Sequence, residues 1–170
     1  LFMCRRITIA ILAVLATLWS GLTAQTLTVA NGNNATDRYI PIYGYYMDAP
    51  QKSHVLYPAG MLSSISGTYI TGLTYYFSTS PSGAWGGTQM VRMGITTSSD
   101  LQNGYDSATV TTVWTGTLSS HISGNTLSIT LDEPFLYSGG NLLIEVENPT
   151  GVAWKDAYFA GESQNDQLSY

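Results

Sequence analysis

Two glutamates two residues apart, Glu145 and Glu147, fall on one face of any extended segment. Paired carboxylates are what glycoside hydrolysis requires, one as acid and one as nucleophile or base, with the carboxyl groups about 5 to 5.5 Å apart in the retaining case. The stretch Ile144-Glu145-Val146-Glu147-Asn148 lacks the central aspartate of the glutamate, aspartate, glutamate pattern, so the expectation is a solvated outer face and no catalysis. His54 and His121 are the only histidines, and both have serines nearby. No GxSxG elbow accompanies them, so nothing marks a Ser/His/Asp nucleophile, and placement on strand ends or loops is expected. Two histidines without a cysteine beside them do not suggest a structural zinc site, so none is expected. Asn31, Asn33 and Asp37, and separately Asp132 with Glu133, offer oxygens of the kind Ca²⁺ takes. Asx turns explain the first group without an ion, so no cofactor is expected and a structural calcium stays as the alternative.

Ligand binding without chemistry has a different signature. Trp85 sits in Ser80-Pro81-Ser82-Gly83-Ala84-Trp85-Gly86-Gly87, a loop composition that does not readily bury an indole. An exposed indole can stack on a sugar ring or anchor a protein contact, and the alternative is a ring folded over a sheet end. Tyr43, Tyr45 and Tyr46 are the next ligand-binding candidates, with at least one expected in the core. Trp114 and Trp154 lie within strand patterns and are expected in the core.

The elements that must position these residues are strands. From Gln25 onward apolar residues recur with period two, and Gly, Asn, Ser and Pro interrupt them every eight to twelve residues or so. Val91, Met93 and Ile95 share a face, as do Leu127, Ile129 and Leu131, and Leu142, Ile144 and Val146. Further strands are expected at Thr26–Ala30, His54–Tyr57, Leu73–Ser78, Val110–Gly116 and Trp154–Ala160. Pro41 and Pro134 suit strand edges or starts, where a missing N–H costs no ladder bond. Eight to ten short strands without helices predict an all-β, antiparallel two-sheet β-sandwich. A jelly roll is the first choice and an immunoglobulin-like sandwich the alternative.

Composition limits the function classes. The chain has 170 residues, 44% hydrophobic and only 10% charged, with a net charge of -5. That is one domain with enough apolar material for a core, and neither a disordered chain nor a helical bundle. Six basic residues give no cationic stripe for nucleic acid. Arg5 and Arg6 precede an apolar run from Ile7 to Trp19 and then Ser20-Gly21-Leu22-Thr23-Ala24-Gln25, the layout of a secretory signal peptide. The run is too short for a bilayer core of roughly 30 Å, so no permanent membrane anchor is expected. Cleavage is expected between Ala24 and Gln25, leaving residues 25–170 as a single domain. Cys4 departs with the leader, which leaves a cysteine-free exported domain held by packing and sheet hydrogen bonds. The basic residues left are Arg38, Lys52, Arg92 and Lys155 against all 11 acidic ones.

Four stretches carry a resemblance. They are Tyr39-Ile40-Pro41-Ile42-Tyr43-Gly44-Tyr45-Tyr46, Lys52-Ser53-His54-Val55-Leu56-Tyr57-Pro58-Ala59, Tyr69-Ile70-Thr71-Gly72-Leu73-Thr74-Tyr75-Tyr76-Phe77, and the run from Glu133-Pro134-Phe135 through Gly139-Gly140 to Glu145-Val146. Ile95-Thr96-Thr97 and Val113-Trp114-Thr115-Gly116 fit between the third and fourth. In this order, over roughly Thr26 to Gly161, the chain resembles the jelly-roll modules of secreted adhesin and haemagglutinin-type surface proteins of Gram-negative oral and gut bacteria. The resemblance implies a bacterial, secreted or cell-surface module for binding and adhesion. Its partner would be a glycan or an extracellular protein, and further domains would lie C-terminal to it. It also implies the type IX export route, for which no residue here speaks. Asp106-Ser107-Ala108 matches the short O-glycosylation pattern of the same bacteria. A structural spacer in a longer surface protein is the alternative function, and a glycan-active hydrolase is a more distant one.

Overall fold

The computed structural model describes residues 25–29, 35–37, 39–42, 50–79, 87–151, 157–162 and 167–170. Among the described residues nine strands form, in chain order: β1 (Ala35–Asp37), β2 (Gln51–Tyr57), β3 (Thr68–Thr79), β4 (Gln89–Thr96), β5 (Thr111–Gly116), β6 (Ile122–Ser123), β7 (Thr126–Tyr137), β8 (Asn141–Asn148) and β9 (Tyr158–Gly161). Short 3-10 helices at Ala59–Ile65 and Leu118–His121 contribute Leu62 and Leu118 to the core.

Antiparallel pairing is nested. β4 pairs with β5, β3 with β7, β2 with β8 and β1 with β9, so the chain is one long hairpin with the β4–β5 connection at its tip. Rolling that hairpin up brings β9 beside β3 and β8 beside β4. The result is two sheets, ordered β1-β9-β3-β7-β6 and β2-β8-β4-β5. Strands that alternate between sheets in this way are the wrapping of a jelly roll, and this decides between the two sandwich topologies.

The inner faces follow the period-two pattern. Val91 and Met93 of β4, Leu127 and Ile129 of β7, and Leu142, Ile144 and Val146 of β8 meet Phe77 and Phe159 in one buried cluster. Burying each such side chain is worth roughly 1.5–3 kcal/mol. In β5 a bulge opposite Val91 and Arg92 lets two consecutive residues, Val113 and Trp114, both enter the core.

Some expectations need correction. Residues 26–29, expected to begin a strand, run as irregular chain, whereas β1 lies later. Pro41 lies in a bend and on no strand. Pro134 does not start a strand but lies within the 12-residue β7. There the pairing jumps from Gly72↔Thr130 to Ile70↔Phe135, leaving residues 131–134 out of the ladder with β3, so the missing N–H of proline costs nothing. Trp114 is buried as expected. Trp154 lies outside the described residues.

Candidate functional site

The nested pairing sets three polar side chains side by side on the outer face of the four-stranded sheet. His54 of β2 and Arg92 of β4 are both direct cross-strand partners of Glu145 on the central strand β8. Residues 97–110, between β4 and β5, fold back over this face, and residues 167–170 lie along the free edge of β2. Leu101, Ala108, Val110 and Leu168 pack there on Leu56 and Leu143 to form a second, smaller apolar cluster. A face that strand alternation marks as exposed is therefore half roofed. His54 and Glu145 are 2% and 6% exposed, which corrects both the solvated-face expectation for Glu145 and the strand-end or loop expectation for His54.

His54 is fixed at both ring nitrogens. The backbone N–H of Asp106 donates to Nδ1 at 3.2 Å, so the ring proton sits on Nε2 and is donated to Glu145 Oε2 at 2.6 Å. The other Glu145 oxygen accepts from Arg92 Nη1, and the same nitrogen donates to Glu147 Oε2 at 2.5 Å. Lys52 Nζ stands 3.8 Å from Glu145 Oε2. Two carboxylates are thus balanced by one guanidinium and one ammonium.

Burial by itself would raise the carboxyl pKa of Glu145, but hydrogen bonds from His54 and Arg92 outweigh it and hold the group below its ordinary value. Arg92 shows the matching effect: burial would lower its pKa, and the two glutamates raise it instead. Asp106 is also held below the ordinary range. Burial opposes this, while hydrogen bonds from Ser98, Ala108 and Thr96 prevail. A carboxyl held ionised in this way is unsuited to act as a general acid near neutral pH. Both carboxylates converge on one nitrogen of Arg92.

Two tyrosines stand at the exposed margin of this cluster. Tyr105 packs edge-on against His54 and Tyr170, with centroids 4.9 and 4.7 Å away. Its hydroxyl donates to the Lys52 carbonyl at 2.9 Å, and the Lys52 ammonium lies 4.4 Å above its ring. Both rings remain about half exposed, at 47% and 54%. Arg92 and Glu147, both half-buried, lie on the same face of the sheet, joined to this cluster through Glu145. Neither tyrosine was singled out in the sequence, because no spacing rule links residue 105 to residues 54 and 170.

The expected ligand-binding residues Trp85, Tyr43, Tyr45 and Tyr46 lie outside the described residues, as does Ala24 of the expected cleavage site; Gln25 is exposed, irregular chain. His121 contacts the Ser128 carbonyl at 3.2 Å and packs edge-on against Trp114. Of the calcium candidates, Asn31 and Asn33 lie outside the described residues, and Asp37 lies in β1. The Asp132 carboxylate accepts the Thr115 N–H at 3.1 Å, which ties β7 to β5. Among the described residues no group of three or more His, Cys, Asp or Glu side chains is placed to hold a metal ion. No helix among them is long and apolar enough to cross a membrane.

No protein-family model matches the chain, and neither does any curated protein or solved structure.

Proposed function

We propose that this jelly roll is a non-catalytic binding module of a secreted or surface-displayed bacterial protein, and that its ligand is a glycan or an extracellular protein. The observation that carries this reading is the pair Tyr105 and Tyr170, about half exposed yet packed edge-on against each other, with the Tyr105 hydroxyl bonded to the Lys52 carbonyl. Rigid aromatic rings lose little conformational entropy when covered, and they offer a flat apolar face to a sugar ring or a protein side chain. Lys52 against Tyr105, and Arg92 and Glu147 on the same sheet face, supply hydrogen-bonding groups to orient a ligand. The leader-like first segment and the likeness to adhesin modules point the same way.

Screening the protein against glycan and host-protein arrays tests the proposal. Binding is expected, and Tyr105→Ala is expected to weaken it by about 5- to 30-fold, in line with roughly 1–2 kcal/mol for an anchoring aromatic. Absence of binding at high concentration would favour the spacer reading, which has an observation of its own. The outer face of the five-stranded sheet carries Thr74, Ser128 and Thr130, all exposed, with Thr74 and Ser128 hydrogen-bonded across the strands at 3.2 Å. Tyr76 shares that face and is half exposed, but short hydroxyl side chains of this kind suit passive display. Binding that survives Tyr105→Ala and Tyr170→Ala unchanged would place the ligand elsewhere on the molecule.

A further inference from the structure

Where Gln51, Asn148 and Gln89 meet, three adjacent strands carry a carboxamide at the same level. Gln51 of β2 is the register partner of Asn148 of β8. Gln89 of β4 precedes Met90, the partner of Glu147, and so stands opposite Asn148 on the other side. All three line one small cavity at the end of the sandwich interior, together with Ser53. Gln89 and Asn148 are 1% and 2% exposed.

Their amide nitrogens, Nε2 of Gln89 and Nδ2 of Asn148, are buried and have no hydrogen-bond partner among the described residues. Two uncompensated buried donors, on neighbouring strands and on residues that line one space, call for an acceptor. That space offers the centre of a water-sized sphere about 10 Å³, which suits one water and nothing larger. Ser53 supplies the complementary group. Its hydroxyl donates to the Pro41 carbonyl at 2.6 Å, so its proton is committed and its oxygen lone pairs can accept.

We infer that this cavity is a binding site for a single structural water. The water accepts from Gln89 Nε2 and Asn148 Nδ2 and donates to Ser53 Oγ. It joins β2, β8 and β4 at the end of the sheet and, through Ser53, ties them to the bend at Pro41. A protein-bound water with three partners exchanges slowly compared with surface water.

Water-selective NMR on the unaltered protein tests this. Cross-peaks between water and the side-chain NH₂ groups of both Gln89 and Asn148 are expected, of the sign given by a long-lived water. Gln89→Met keeps the side-chain length and removes one of the water's partners, so the melting temperature is expected to fall by about 3 °C or more. In a dry cavity the same change would relieve an uncompensated donor and leave the melting temperature unchanged or raised. Either that result or missing cross-peaks overturns the assignment, and the NMR arm stands even if the variant does not fold.

Discussion

At the scale of single residues, Glu145 joins three strands through its side chain. It takes hydrogen bonds from two strands, and through His54 it supports the backbone of Asp106 in the roofing segment. The pKa values of Glu145 and Asp106 in the folded protein lie below their ordinary values of 4.5 and 3.8. Their contribution to stability is therefore complete above those ordinary values and is lost as pH falls through the lower, folded ones. Stability measured by urea denaturation should hold steady from pH 7 to about 5 and then decline. Gln in place of Glu145 presents one acceptor and one donor, so it can satisfy Arg92 or His54 but not both. Glu145→Gln should cost about 1–3 kcal/mol at pH 7 and flatten the acid decline. An equally steep decline in the variant would show that the cluster does not govern it. The sequence marked Glu145 and Glu147 as a pair but not their partners, because both partners are set by the register of strands more than 50 residues away.

At the scale of elements, alternation identified the strands and their inner faces. Met93 and Ile144 are buried where period two puts them. The roof over the four-stranded sheet escaped that reasoning. Gly94 shares the outer face with Arg92 and Thr96, and from sequence the face reads as polar and open. The glycine is instead a point of close approach. A Cβ there would lie 2.4 Å from the Thr109 carbonyl oxygen and 3.1 Å from a Val110 methyl. Only a residue without a side chain lets the returning segment lie flat on the strand. Gly94→Ala should push residues 109–110 outward and destabilise the fold by about 1–3 kcal/mol, as overpacking generally does. Chemical denaturation gives the loss, and faster amide exchange in 97–110 would locate it. An unaffected variant would mean that the roof shifts at no cost.

At the scale of the whole molecule, the rolled hairpin explains why residues distant in sequence meet, and why the jelly-roll choice was open until strand order was known. Alternation fixes which way each side chain points and is silent on which strand lies next to which. The roll also leaves sheet edges, and an unpaired edge invites pairing with another chain. The free edge of β2 is covered by residues 168–170. His54 and Leu56 donate to the carbonyls of Tyr170 and Leu168, both at 2.7 Å, and Tyr170 donates back to His54 at 2.9 Å. Gln167 accepts from Leu101 at 2.9 Å, so this short segment also fastens the roof. Removing residues 167–170 should uncover the edge, release Tyr105 from Tyr170 and withdraw Leu168 from the apolar cluster beneath. The His54 and Leu56 amides should then exchange at least about tenfold faster, a change equivalent to roughly 1.4 kcal/mol of local opening, and the protein should self-associate as its concentration rises. Hydrogen exchange resolved to residues 50–58 and sedimentation over a concentration series measure the two effects. Unaltered protection of both amides would mean that this segment does not guard the edge.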